Sequence, residues 1–216
     1  MPILAFDVYG TLFNVHSIES QLEKLSSGNG RVASKLWRDK QIEYTRLIAM
    51  SKKKERYSPF WKITQSALDF TSNALHLGLS ELQKRELMAS YDNLDLFPEV
   101  KASLIKLKAT GIKLVVLSNG DEKMLERLFY DTEIGVLFDE FYSAESIYSY
   151  KIEPAVYGLI TKNSEYEKKD VILVSSNYWD IVGGGWYGFK TFWVNRFNSP
   201  FEELGYRPNH IGKDFN

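Results

Sequence analysis

An apolar run, Ile3-Leu4-Ala5-Phe6, stops at a carboxylate, Asp7, and is followed by Val8-Tyr9-Gly10-Thr11-Leu12-Phe13. Four apolar residues with no polar alternation leave no face for water, so the segment reads as the middle strand of a parallel sheet covered on both sides. Asp7 then falls where the strand leaves the sheet at its carboxyl end, the edge at which open α/β sheets bind ligands. Taken alone, an Asp at a strand end is more often a turn former or a helix N-cap than a functional group. Its standing depends on what else the chain brings to the same edge.

After that strand the periodicity changes to that of helices. Residues 17–26 and 31–50 read as two helices separated by Gly28-Asn29-Gly30, with Val32, Leu36, Leu47 and Ile48 as apolar positions on the second. Ser58-Pro59 places a proline at the first turn of a third helix running towards Gly78. Ser80 followed by Gln83 fits a capping box for a fourth, over residues 81–91. Four helices with no strand between them predict an inserted bundle. From Phe97 the pattern returns to α/β: helix 98–109 stopped by Gly111, a β-branched strand 112–117 ending in Ser118-Asn119-Gly120, and a helix capped by Asp121 that runs to about Tyr130. A short strand within 138–143 precedes the loop carrying Lys151, and Pro154 opens a helix through Ile160. An apolar strand 171–174 ends in Ser175-Ser176-Asn177, ahead of Trp179-Asp180 and Gly183 to Gly185, and residues 191–194 form a last central strand. The tail from Phe197 is aromatic and turn-rich, with no assignable chemistry.

The expected architecture is a doubly wound parallel sheet, the α/β core taking residues 1–15 and 96–216, with a helical cap over 16–95. Right-handed crossovers then place Asp7, Ser118, the Lys151 loop and residues 175–180 on one edge, facing each other across a crevice that the cap can close against water. Composition bounds the partners. A chain of 216 residues is long enough for one substantial core plus an insertion. With 25% charged residues and a net charge of -1 it has no bulk attraction to nucleic acid or to membranes. The absence of cysteine excludes disulfides, zinc thiolates and thiol nucleophiles. Met1-Pro2 leads straight into the strand, leaving no room for a signal peptide, and no apolar run approaches the ~20 residues of a membrane span. A cytoplasmic enzyme is the expectation.

The quoted residues resemble the haloacid dehalogenase superfamily and, within it, the L-2-haloacid dehalogenases. Residues 6–13 resemble the nucleophile motif. Leu36-Trp37-Arg38, with Gln41 and Glu43-Tyr44-Thr45, resembles the cap-helix motif, and Leu117-Ser118-Asn119-Gly120 the second core motif. Tyr150-Lys151 with Tyr157, and Val174-Ser175-Ser176-Asn177 with Trp179-Asp180, resemble the remaining two. The likeness runs from the first strand to about Pro208.

The residues also discriminate within the superfamily. Phosphatase members hold Mg²⁺ and, as a rule, place a second aspartate two residues after the nucleophile, where this chain has Tyr9. A magnesium site wants at least two carboxylates, and the last motif offers Ser175, Ser176 and Asn177, leaving Asp180. Halide leaves as an anion without needing a proton, which suits a tyrosine at position 9. The resemblance therefore implies covalent catalysis by a carboxylate with no metal and no cofactor. Asp7 attacks the halogen-bearing carbon of an L-2-haloalkanoate, and water cleaves the resulting ester to give an inverted 2-hydroxy acid.

The same resemblance distributes the other roles. Arg38 stabilises the departing halide. Ser118 and the Asn119 backbone take the substrate carboxylate. Lys151 places a positive charge beside Asp7, and Thr11 orients Asp7. Ser175, Asn177 and Asp180 belong to the motif that positions the hydrolytic water, with Asp180 first choice for activating it. Tyr157 braces Lys151 or Asp180, while Tyr9, Phe60 and Trp179 form an apolar wall. Each has a plain structural alternative: a solvated arginine or lysine, turn formers, a first-turn helix acid, core aromatics. Two departures stand out: Asp39 follows Arg38, where glutamine is frequent, and the proline after Lys151 comes late. The alternatives are a metal-dependent phosphatase acting on a small phosphate ester and a non-enzymatic protein on an enzyme fold. A homodimer is expected from the resemblance alone.

Overall fold

In the computed structural model, which describes residues 2–26, 28–130, 132–162 and 166–216, the first strand occupies the middle of the sheet. The strands are β1 (Ile3–Phe6), β2 (Lys113–Ser118), β3 (Glu140–Ser143), β4 (Val171–Ser175), β5 (Lys190–Val194) and β6 (His210–Gly212). Their spatial order is β3-β2-β1-β4-β5-β6, and every pairing is parallel. β1 pairs Phe6 with Val116 of β2 on one side and with Val174 of β4 on the other. Asp7 continues the ladder by one bond, its amide donating to the Val174 carbonyl at 3.0 Å.

The pleat sorts the central strands onto two faces. Leu4, Phe6, Leu114, Val116 and Val174 belong to one apolar cluster and Ile3, Ala5, Val115, Leu117, Val171 and Leu173 to another. Two covered faces explain why these strands are apolar throughout rather than alternating, and make the sheet doubly wound as expected. On the first face lie α5 (Val100–Ala109) and α6 (Glu122–Tyr130); on the second lies the short α7 (Pro154–Tyr157). α8 (Tyr178–Tyr187) follows β4 and packs Ile181 and Val182 against Trp193 of β5.

Between β1 and β2 come α1 (Glu19–Ser26), α2 (Gly30–Ser51), α3 (Phe60–Ala74) and α4 (Glu81–Ala89), with no intervening strand. The capping box at Ser80 and Gln83 is formed in both directions. Trp37 of α2 is fully buried and donates its indole N–H to the Thr64 carbonyl of α3 at 2.8 Å, fixing the rotation of one helix on the other. Their apolar residues, Trp37, Phe60, Ala67 and Leu68, are continuous with the cluster on the sheet's first face.

One expectation needs correction. The helix opened by Pro154 stops at Tyr157 rather than Ile160. Residues 191–194 fall within β5, which is central, and His210-Ile211-Gly212 adds the edge strand β6 beyond it, within the tail given no role. The glycines 183–185 lie inside α8. A Cβ on Gly183 would sit 2.4 Å from the Tyr157 hydroxyl, and one on Gly184 2.4 Å from Leu173, so these positions let α8 press onto α7 and β4. Among the described residues no helix is long and apolar enough to cross a membrane.

Candidate active site

Four segments far apart in sequence meet at the carboxyl edge of the sheet: the ends of β1, β2 and β4, and the loop between β3 and α7. At the centre is Asp7, 5% exposed. Its Oδ2 accepts hydrogen bonds from Thr11 Oγ1 at 2.8 Å, Asn177 Nδ2 at 2.7 Å and Ser175 Oγ at 3.4 Å. Its Oδ1 accepts, among the described residues, from Lys151 Nζ alone, at 3.0 Å. Gly10 makes the turn after β1 with φ of +89°, a region that disfavours side chains, and a Cβ there would approach the Asn177 amide at 3.6 Å. Asn177 also donates to the Tyr9 carbonyl at 3.0 Å.

Lys151 is 1% exposed and bridges two carboxylates, donating to Asp180 Oδ2 at 2.8 Å as well as to Asp7. Burial by itself favours the neutral amine, but the charges of Asp180 and Asp7 and their hydrogen bonds outweigh it, holding the Lys151 ammonium charged beyond the ordinary lysine range. Asp180, fully buried in the first turn of α8, takes the Tyr157 hydroxyl on its other oxygen at 2.9 Å. Burial raises the Asp180 pKa; Lys151 opposes that, and the nearby Asp7 charge adds to it. Burial and the Asp180 charge push the Tyr157 phenol well above 10.0, so it remains a donor. The main-chain N–H of Lys151 is held by Asn119 Oδ1 at 2.8 Å, tying this loop to the end of β2.

Thr11, Ser175, Asn177, Lys151, Tyr157 and Asp180 thus form one hydrogen-bonded network with Asp7, joined through Lys151 to Asn119. Ser118 is buried at the end of β2, where its Oγ accepts the Gly120 N–H at 3.0 Å. Arg38, half-buried on α2, donates to the Tyr9 carbonyl at 3.1 Å and to Gln41 Oε1 at 2.6 Å. The helices therefore reach the chain two residues beyond Asp7. Tyr9 is 2% exposed and packs its ring 5.4 Å from that of Phe60. Its hydroxyl is buried with no hydrogen-bond partner among the described residues. Trp179 lies apart from this cluster, half-buried on the wall of a cleft of about 520 Å³ that also reaches Asn177 and Arg38.

Gln41 was quoted with the cap-helix motif but given no role. It is fully buried and relays Arg38 to the Thr64 hydroxyl of α3, which it approaches at 2.5 Å. Its i,i+3 spacing from Arg38 was the available signal. Asp121 was read as the cap of α6 and does that, accepting the Met124 N–H at 3.0 Å. Its second oxygen accepts the Trp61 N–H in the first turn of α3, also at 3.0 Å. Among the described residues no three His, Asp or Glu side chains cluster as a metal site.

Fold and site together define a Rossmann-like α/β protein with a lysine-bridged carboxylate pair at the carboxyl edge of its sheet. The chain belongs to the haloacid dehalogenase-like hydrolase family, whose profile matches residues 1–188, and within that family to the (S)-2-haloacid dehalogenases. It is 36% identical over 208 residues to the (S)-2-haloacid dehalogenase of Pseudomonas putida, covering 96% of this chain and 90% of that one. A crystal structure of an L-2-haloacid dehalogenase superposes with a TM-score of 0.96 at 38% identity, over 100% of this chain and 95% of the other. The L-2-haloacid dehalogenase of Xanthobacter autotrophicus, solved with chloropropionic acid covalently bound, superposes with a TM-score of 0.89 at 26% identity, over 100% of this chain and 95% of that one.

Proposed function

We propose that this chain hydrolyses L-2-haloalkanoic acids to D-2-hydroxy acids through an ester on Asp7. The observation that carries the reading is the unequal treatment of the two Asp7 oxygens. Oδ2 is engaged by three donors, whereas Oδ1 has only Lys151 and so keeps a lone pair to offer. Oδ1 attacks C2 of the substrate from the side opposite the halogen, the new C–O bond forms, and the C–X electron pair departs with the halide. Configuration at C2 inverts. Water then adds to the Asp7 carbonyl carbon, one proton passing to Asp180; the bond between that carbon and Oδ1 breaks, Asp180 returns the proton to the departing alkoxide to release the hydroxy acid, and the re-formed Asp7 carboxyl loses its proton to solvent. A buried Asp180 with a raised pKa is a better base for that step than an exposed aspartate.

The remaining residues support these two steps. Arg38 meets the departing halide. Ser118 and the Asn119 backbone, at the end of β2, take the substrate carboxylate. Thr11, Ser175 and Asn177 orient Asp7, Tyr157 orients Asp180, and Tyr9, Phe60 and Trp179 supply the apolar wall. Residues 16–95 act as a cap over a core of 1–15 and 96–216, bringing Arg38 to the nucleophile. The enzyme works as a homodimer in the cytoplasm.

The donor set does not fit the magnesium of phosphatase relatives. Tyr9 stands where a second carboxylate would be, Lys151 already supplies a cation at Asp7 Oδ1, and the same ammonium pairs with Asp180 Oδ2. No step is routed through a metal. Halide release from L- and D-2-chloropropionate, alongside hydrolysis of phosphate esters, tests the reading with and without chelator. Release from the L-isomer alone, unchanged in excess EDTA and lost in Asp7→Asn, is expected. Phosphate ester hydrolysis that requires magnesium would replace this reading with a phosphatase.

A further inference from the structure

The cleft that runs outward from Asn177 and Arg38 carries more positive charge than halide departure alone requires. On α2, Arg38, Ile42, Arg46 and Met50 follow one another at four-residue steps and all line this cleft, opposite Asn177 and Trp179. Arg46 lies at the exposed mouth, its guanidinium 5.4 Å from the centre of the Trp179 ring. Neither Arg38 nor Arg46 forms an ion pair with a carboxylate among the described residues. The hydrogen-bond partners of Arg38 are a neutral amide and a main-chain carbonyl.

Two acids also line the cleft, but lysines on the same helix already neutralise them. Lys35 pairs with Asp39 at 2.6 Å and Lys40 with Glu43 at 2.8 Å. Two guanidinium groups are left to set the field of the cleft. Partial desolvation disfavours the Arg46 charge most; Glu202 favours it, and repulsion from Arg38 opposes it more weakly. An added anion would relieve the repulsion.

We propose that Arg46 and Trp179 form a second small-anion subsite at the mouth of this cleft, which captures the carboxylate entering, or the halide leaving, before or after it reaches Arg38. The ligand is a small monovalent anion: either a short carboxylate or a halide. The guanidinium supplies the charge, and the Trp179 face keeps the group flat against the wall. The part played in turnover rests on the dehalogenase reading; the subsite itself does not.

Iodide quenching of tryptophan fluorescence at constant ionic strength tests the site without any turnover. The native protein should show a saturable component of quenching, absent in Trp179→Phe and in Arg46→Gln and restored in Arg46→Lys. Displacement of that component by propionate identifies the carboxylate as ligand, and displacement by chloride but not by propionate identifies the halide. Quenching that is the same and non-saturable in native protein and Arg46→Gln would overturn the proposal. In turnover of 2-chloropropionate, Arg46→Gln should raise KM about fivefold at low ionic strength, leave kcat within about twofold, and lose that difference at high salt. A fall in kcat with KM unchanged would instead mean that Arg46 only holds Trp179 in place. An enzyme with no dehalogenase activity would defeat the functional reading while leaving the quenching result to decide the subsite.

Discussion

Lys151 carries two carboxylates on one ammonium, and the three groups lie almost wholly out of water. Replacing it with methionine keeps most of the volume but leaves Asp7 and Asp180 facing each other across an apolar gap. Breaking a buried ionic cluster by removing one partner typically costs ~3–5 kcal/mol. Lys151→Met should therefore lower the denaturant midpoint at pH 7 as well as abolish halide release. A variant of native stability would show that the carboxylates do not depend on the ammonium for their burial. Asp7 was legible in the sequence because an apolar strand ending in an acid is an uncommon juxtaposition. Lys151 was legible only through its neighbours, since a loop lysine by itself reads as solvated. Gln41 was legible only as a member of the cap-helix motif and Arg46 not at all: a helical glutamine and arginine look alike whether they face protein or water, and only the packing of α2 on its neighbours decides between these.

At the scale of elements, Asp121 ties the sheet domain to the inserted helices by capping both α6 and the first turn of α3. Its carboxylate satisfies one orphan N–H at each helix, so Asp121→Ala loses two caps together. A single N-cap is worth ~1 kcal/mol, and the pair should cost ~2 kcal/mol in urea unfolding, with a larger fall in kcat than that loss alone explains because α3 carries Phe60. Asp121→Asn can keep the acceptor for one helix and should recover part of the stability. Helix starts were readable wherever capping chemistry marks them, as at Ser80 and Pro59. The strand β6 was not, because three residues are too few to show alternation and its pairing with β5 is a long-range event. The glycines of α8 were noted in the sequence without a structural role, for a related reason. Only the closeness of Tyr157 and Leu173, which are remote in sequence, explains why a helix needs Gly183 and Gly184.

The whole molecule buries phenols as well as charges. Six of its 13 tyrosines, Tyr9, Tyr57, Tyr91, Tyr142, Tyr150 and Tyr157, are raised above 10.0, chiefly by burial, Tyr91 to about 12. In the unfolded chain these six phenols ionise near 10.0 whereas in the folded chain they ionise higher, so stability falls as pH rises above that value. Lys151 acts in the same direction: its contribution is fully present below 10.5 and is lost as pH rises through its higher folded value. Phenolate absorbance should therefore appear in two stages, exposed tyrosines first and the buried set together with loss of ellipticity. A single smooth titration of all 13 with the fold intact would contradict the burial described here. The central claim, that residues from both ends of the chain assemble around a nucleophilic Asp7, is tested most directly by the fate of solvent oxygen. In a single turnover in H₂¹⁸O with enzyme in excess, water that attacks the Asp7 carbonyl carbon leaves its label in the peptide containing Asp7, and the hydroxy acid leaves almost unlabelled. Label found in the hydroxy acid on that first turnover, with none in the peptide, would contradict the account.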